Sequence, residues 1–274
     1  MKKILLIAIA IVFTTTPIFA DESSDLLALK DRLSGFKVGA HQGGLFYKTF
    51  PNTMKAFEAS LDDGADIVEM DLHITKDNVV VVYHDDELKR WTNCKGLVID
   101  KTFEELQKCK FTLYRSSKIP TFEEVLQWAQ GRIIVDAEFK DARAINGALD
   151  LVNKYRAHSW TYFQTQDNKD KYIEAHTYDP KVALLYAVHS EDDLKWALEQ
   201  TDELLIVEID GKMRNPSVID RIHQSGKLVT EDSWHFSKTQ ELFRSSCKKG
   251  FENKIDILVT NRPDGCVKER EAVR

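Results

Sequence analysis

Eight short apolar runs alternate with helical patterns between residues 37 and 260. No repeat, low-complexity tract or Pro/Gly/Ser-rich linker interrupts them. Such alternation predicts an α/β fold of one domain, a (β/α)8 TIM barrel. A mature chain of residues 21–274 is long for a doubly wound sheet and comfortable for a barrel. The spacing alone leaves the open doubly wound sheet as the alternative.

The elements follow in order. The chain opens M-K-K, then has ten apolar residues from Ile4 to Phe13, then T-T-T-P-I-F-A. A basic start, a short apolar core and Ala20 predict a signal peptide over 1–20. Ten apolar residues are too few to cross a bilayer core of ~30 Å, so no stable membrane anchor is expected. The protein is expected to be exported, periplasmic or secreted. Residues 24–33 (S-D-L-L-A-L-K-D-R-L) have helical apolar spacing and a Ser/Asp start. They predict a leading helix that plugs the bottom of the domain. The strand-like runs are 37–40, 66–72, 132–139, 160–163, 182–187, 204–209, 227–230 and 256–260. Helical patterns between them include T-M-K-A-F-E-A-S-L-D-D-G and T-F-E-E-V-L-Q-W-A-Q-G, which stop at Gly64 and Gly131.

One run, 79–84, stands outside this count. It follows the second strand after Lys76, Asp77 and Asn78. A parallel crossover needs a dozen or more residues, so this run must return antiparallel as a hairpin. A two-residue loop at Lys76–Asp77 places His84 opposite Glu69. One at Asp77–Asn78 places it opposite Asp71. Either register brings His84 back to the acidic pair.

The full chain carries 38 basic and 44 acidic residues, a net −6. Without the leader's Lys2 and Lys3 the net is −8. That balance argues against nucleic acid or an anionic membrane surface as partner. Four cysteines without a C-x-x-C make a zinc site unexpected. Export allows disulfides, and Cys94–Cys109 with Cys247–Cys266 are the favoured pairs, each closing a local loop; four free thiols are the alternative.

Charge at strand ends points to chemistry. His41 follows K-V-G-A, Glu69 and Asp71 follow A-D-I-V, His84 follows V-V-V-V-Y, and Glu138 and Lys140 follow I-I-V-D-A. Burying such groups is costly unless something binds there. Glu69 and Asp71 are two apart on a strand and share a face, and Glu138 and Lys140 repeat the spacing. In a barrel the C-terminal strand ends form the active site. Three carboxylates offer oxygen alone, which suits Mg²⁺ or Ca²⁺. Two histidines beside them suit general acid–base work. Strand-end salt bridges of Lys140 with Glu138 or Asp71 are the plainer reading. His73, His158, His176, His189, His223 and His235 read as structural. No G-x-S-x-G and no P-loop is present, so serine hydrolase and nucleotide kinase chemistries lack support.

These residues carry a resemblance. G-A-H-Q-G-G, P-N-T-M-K-A-F, G-A-D-I-V-E-M-D and T-K-D-N-V-V-V-V-Y-H-D resemble the glycerophosphodiester phosphodiesterase family. I-P-T-F-E-E-V-L, E-F-K and I-L-V-T-N-R-P-D extend the likeness, which is dense over 38–140 and thin over 141–255. The resemblance implies a barrel with one divalent cation on Glu69, Asp71 and Glu138. It implies His41 and His84 as acid and base, and Lys140 on a phosphate oxygen. It also implies a small insertion at 85–119 over the active-site mouth. The implied substrate is a small-molecule phosphodiester, a glycerophosphodiester split into glycerol 3-phosphate and an alcohol. Two departures stand together: Gln42 replaces the family's Arg, and Pro51 its Glu. Losing both charges of a pair need not leave an uncompensated buried charge, so a divergent working site is expected. The family's Trp-Thr near the seventh strand is absent, and Trp234 in T-E-D-S-W-H-F is expected as its displaced substitute in contact with substrate. Alternatives are a sphingomyelinase D-like or lysophospholipase D-type enzyme releasing cyclic phosphate from a lysophospholipid-like substrate, and a non-catalytic diester-binding protein.

Overall fold

A computed structural model describes residues 22–44, 49–236 and 247–273. The expected leader at 1–20 lies outside the described residues. The chain runs α1 (Glu22–Arg32), β1 (Lys37–Ala40), α2 (Met54–Asp62), β2 (Ile67–Ile74), β3 (Val80–Val82), α3 (Phe103–Lys108) and α4 (Phe122–Ala129). It continues through β4 (Ile134–Phe139), α5 (Ile145–Tyr155), β5 (Thr161–Gln164), α6 (Lys169–Tyr178), β6 (Ala183–Val188) and α7 (Glu191–Leu198). Then come β7 (Leu204–Ile209), α8 (Pro216–Gln224), β8 (Leu228–Asp232), α9 (Cys247–Glu252), β9 (Ile257–Thr260) and α10 (Pro263–Val273).

Eight of these strands are parallel, and β1 pairs with both β9 and β2, which closes the barrel. All eight predicted runs coincide with barrel strands. Helix starts follow local chemistry: Thr53 caps α2, and Thr121 with Glu124 forms a capping box on α4.

The ninth strand, β3, runs antiparallel on β2 with Leu72 opposite Val82 and Ile74 opposite Val80. The loop has three residues rather than two. Asn78 takes a left-handed φ of 61°, and the Thr75 N–H donates to the Val79 carbonyl. This register corrects both expected ones. It would put His84 level with Met70, and a one-residue slip reverses the face a side chain uses. Pairing instead continues only through Tyr83, whose N–H donates to the Asp71 carbonyl, and His84 leaves the ladder.

The barrel floor is apolar. Leu29 of α1 and Leu33 just after it pack on Ile67, Ile134, Tyr162 and Ile257, so the leading helix plugs the bottom as its pattern predicts. Both leucines are fully buried, each worth roughly 1.5–3 kcal/mol of transfer free energy. A larger apolar layer joins the outer strand faces to the helices. Residues between β3 and α4 carry a separate cluster that includes Tyr83, Leu88, Val98, Leu106 and Phe111, joined by Phe50 from the loop after β1. The Cys94–Cys109 disulfide staples that segment, and Cys247–Cys266 ties α9 to α10. Among the described residues no helix is long and apolar enough to cross a membrane.

Candidate active site

An apolar floor leaves the polar side chains to the C-terminal ends of the strands. On β2, Glu69 and Asp71 face inward together, and Asp71 lies level with Glu138 of β4. One carboxylate oxygen from each of Glu69, Asp71 and Glu138 lies within 4.8 Å of the others, and all three residues are buried. Lys140 Nζ stands 2.7 Å from Glu138 Oε1 and 3.3 Å from Asp71 Oδ1.

The loop after β1 is built around the triad. The Gln42 N–H donates to Glu69 Oε2 at 2.7 Å. Asn52 Nδ2 donates to Asp71 Oδ2 at 2.6 Å. Gln42 and Asn52 both hold left-handed φ, 50° and 55°, and the Asn52 N–H donates to the Gln42 carbonyl. Two non-glycine residues in that region mark backbone held for a site. Gly43 has no room for a side chain, since a Cβ would meet Ala56 Cβ at 2.8 Å.

Burial pushes the Glu69 carboxyl well above the usual range, and the charges of Asp71, Asp136 and Glu138 add to it. Glu138 is raised by burial too, with Lys140 opposing. Burial would lower Lys140, but Asp71 and Glu138 outweigh it and hold the ammonium above its ordinary value. Such a set, all oxygen, crowded and short of positive charge, fits a hard divalent cation.

The histidines differ in their partners. His41 Nδ1 donates to Asn261 Oδ1 at 2.8 Å, leaving Nε2 4.0 Å from Glu69 Oε2. Burial lowers His41, which favours the neutral ring, and the Nδ1–H bond to Asn261 puts the lone pair of that ring on Nε2. His84 Nδ1 donates to Asp85 Oδ1 at 2.7 Å, and His73 Nε2 holds the His84 carbonyl at 3.2 Å. Trp234 lies against His41 with ring centroids 4.8 Å apart.

Two cavities meet at His41. One of about 110 Å³ sits in the barrel mouth, lined in part by Glu69, Glu138, Gln164, Glu208, Asp232 and Trp234. The other, of about 250 Å³, is lined in part by Gln42, Pro51, Tyr83, His84 and Trp91. The structure thus brings all eight sequence-predicted residues to one place, though His84 enters through the second cavity and not across a ladder from the acids. Sequence reasoning missed Asn52, Asp85 and Asn261, which orient the triad and the histidines. Each adjoins or lies in a quoted motif. It also missed Glu208 and Asp232, which share the strand-end signal used for Glu69. Burial raises both, Glu208 to about 7 and Asp232 well above the carboxylate range.

Comparison with known proteins agrees with this geometry. Residues 41–264 match the model of the Glycerophosphoryl diester phosphodiesterase family. A glycerophosphodiester phosphodiesterase of Bacillus altitudinis is 41% identical over 114 residues, 39% of this chain and 46% of that protein. A lysophospholipase D of Rattus norvegicus is 27% identical over 210 residues, 68% of this chain and 66% of that protein. The chain thus spans about half the length of the first of these relatives. Among solved structures, a glycerophosphodiester phosphodiesterase from Agrobacterium tumefaciens superposes with TM-score 0.73 at 20% identity, covering 85% of this chain and 99% of that one. An Oleispira antarctica phosphodiesterase solved with the product sn-glycerol-3-phosphate gives TM-score 0.70 at 19% identity, covering 86% and 97%. The closed barrel, the triad at its mouth and the match over 41–264 together place this chain in the glycerophosphoryl diester phosphodiesterase family.

Proposed function

We propose that this chain hydrolyses glycerophosphodiesters to glycerol 3-phosphate and an alcohol, with one divalent cation, Mg²⁺ or Ca²⁺, held by Glu69, Asp71 and Glu138. The observation that carries the reading is the buried triad with Lys140 on its rim and His41 and His84 on a shared cavity. When bound, the cation supplies Lewis-acid polarisation of the phosphoryl group. Lys140 holds a non-bridging oxygen. The glycerol hydroxyl beside the phosphate attacks phosphorus while His41 Nε2 takes its proton. The bond from phosphorus to the alcohol oxygen breaks, and His84 Nε2 protonates that oxygen as it leaves. A cyclic phosphate remains. Water then opens it: His84, now neutral, takes the water proton, and His41 returns its proton to the glycerol oxygen. No protein nucleophile is needed.

Asn261 and Asp85 keep the tautomers right for this sequence, because each occupies Nδ1 and turns Nε2 toward substrate. Two disulfides and the apolar N-terminal run support an exported protein in an oxidising compartment. The test is a panel of glycerophosphodiesters with Mg²⁺, Ca²⁺ or Mn²⁺, with products identified by phosphorus NMR. Glycerol 3-phosphate is expected, and chelator abolishes it. Cyclic phosphate as the final product would move the chain to the sphingomyelinase D-like reaction, and tight binding without product to a binding protein.

A further inference from the structure

The segment between β3 and α4 presents a surface that the reaction does not use. Its stretches 88–99 and 106–119 hold seven Lys or Arg and no Asp or Glu, in a chain whose net charge is −6. Five of them, Lys89, Lys95, Lys110, Arg115 and Lys118, are exposed and form no ion pair among the described residues. Four of the six acids at 85–119 are committed to local partners: Asp85 to His84, Asp86 beside His73, Glu104 to Lys108, and Glu105 to the backbone of Thr102.

The two basic stretches lie side by side. Thr92 and Phe111 pair antiparallel. The Thr112 N–H donates to the Trp91 carbonyl at 2.8 Å, and the Asn93 N–H to the Lys110 carbonyl at 3.0 Å. The Cys94–Cys109 bridge joins the stretches covalently, and Phe111 is buried beneath them on Phe50 and Tyr83. The basic side chains thus stand on a preformed ribbon, and a partner need not pay to order it. At its outer end the Ser117 N–H donates to the Tyr114 carbonyl, and Tyr114 holds a left-handed φ of 55°, uncommon for a bulky residue. That turn leaves Leu113 53% and Tyr114 45% exposed. Of six large apolar side chains that stand exposed among the described residues, three, Leu97, Leu113 and Tyr114, are on this one segment.

We propose that this ribbon docks reversibly on an anionic phospholipid surface, with Leu113 and Tyr114 at the head-group boundary and the basic side chains on lipid phosphates. An apolar tip among basic side chains suits that interface. A soluble polyanion would use the charges and leave the tip idle. The negative charge of the whole chain does not oppose docking, because at physiological salt a charge acts over about 8 Å and the lipid meets only the face laid on it. Each Lys or Arg near the surface gives roughly fivefold in partitioning, so five give on the order of a thousandfold. Arg90 and Trp91 of the same ribbon line the larger cavity with His41 and His84, so docking sets the mouth of the site beside the lipid. Docking is independent of the reaction and is read without turnover.

The test is co-sedimentation with vesicles of phosphatidylcholine alone or mixed equally with phosphatidylglycerol. The chain is used without its leader, whose apolar run would itself enter lipid, and in chelator, which excludes turnover and cation bridging. Partitioning should be at least ~100-fold stronger on the mixed vesicles and fall steeply with added salt. Lys110→Glu with Arg115→Glu should lose at least ~25-fold. Lys195→Glu with Lys254→Glu, an equal change of charge at exposed lysines outside the ribbon, should lose little. Leu113→Ser with Tyr114→Asn should lose at least ~tenfold on vesicles and nothing on soluble polyphosphate; Asn tolerates the left-handed φ. Binding that ignores phosphatidylglycerol, or that both charge reversals lower equally, overturns the proposal. So does binding to polyphosphate as tight as to vesicles with no loss on vesicles in the Leu113 and Tyr114 variant, which would make the ribbon a patch for soluble polyanions.

Discussion

Lys140 and a cation on the triad compete for the same oxygens, so replacing the lysine should move binding and catalysis in opposite directions. Nζ lies 2.7 Å from Glu138 Oε1 and 3.3 Å from Asp71 Oδ1. Two unit charges 4 Å apart interact by about 4 kcal/mol at an effective dielectric of ~20. The lysine side chain is 25% exposed and can swing outward, which relieves most of the repulsion. If about a third remains, it is roughly 1.4 kcal/mol, or tenfold in affinity. Lys140→Met keeps the chain's length and removes its charge. Titration of chelator-stripped protein should show Mn²⁺ binding about tenfold tighter. Release of product should show kcat/KM at least ~100-fold lower, the usual loss when one donor to a developing charge is removed. Weaker cation binding in Lys140→Met, or full activity, refutes the placement of Lys140 between the triad and the phosphate.

Three further outcomes follow from the same geometry. His41→Ala and His84→Ala should each lower kcat at least ~100-fold in a product-release assay, and activity kept in both excludes their proton-transfer roles. Burial, with Glu138 next, raises Glu208 to about 7. From its ordinary value near ~4.3 up to that point the folded protein holds a proton that the unfolded chain has lost, so stability falls as pH rises through the window. Denaturant melts of metal-free protein should show Glu208→Gln removing about 2 kcal/mol of the decline between about pH 5.5 and 7.5; equal slopes count against it. Opening the 15-residue Cys94–Cys109 loop with a double serine variant should cost about 3 kcal/mol, read as a Tm loss; equal masses of wild type after alkylation with and without reductant would show there was no bridge to open.

The barrel strands were legible because each is an apolar run bounded by turn residues, and the interior triad because the period of two is fixed for any strand. The His84 register was not legible. It depends on whether the loop after Thr75 holds two residues or three, and Asn78 decides that by taking a left-handed φ, a conformation that sequence permits without demanding. The orienting partners were hidden for a different reason. Asn261 lies 220 residues from His41, and only barrel closure brings the last strand beside the first. Asn52 likewise reaches Asp71 through the paired left-handed turns at Gln42 and Asn52. Glu208 carried the strand-end signal outside any quoted motif, and Asp232 lay in T-E-D-S-W-H-F, where attention went to Trp234. The larger cavity has no sequence signature, since its walls are assembled from the loop after β1, the hairpin and the segment before α4.

The excess of carboxylate inside the barrel ties cation binding to stability. Glu69, Asp71, Asp136 and Glu138 are each less than a tenth exposed. Lys140 is the lysine their ion pairs record among the described residues. Burial pushes Glu69 and Asp136 well above the carboxylate range, and one Asp136 oxygen, Oδ1, has no hydrogen-bond partner. Unpaired buried charge is expensive, and the apolar floor under Leu29 and Leu33 has to offset it. A cation that binds only the folded chain contributes about 2.7 kcal/mol at a hundredfold excess over Kd. Wild-type Tm should therefore rise with added Mn²⁺. In Glu69→Gln the metal-free Tm should be higher, because a repelling carboxylate is gone and the amide still accepts the Gln42 N–H. The Mn²⁺ response should shrink in the same variant, since one ligand is lost. A structural salt-bridge cluster with no cation predicts the reverse for both: no Mn²⁺ response in wild type, and a lower Tm on losing Glu69.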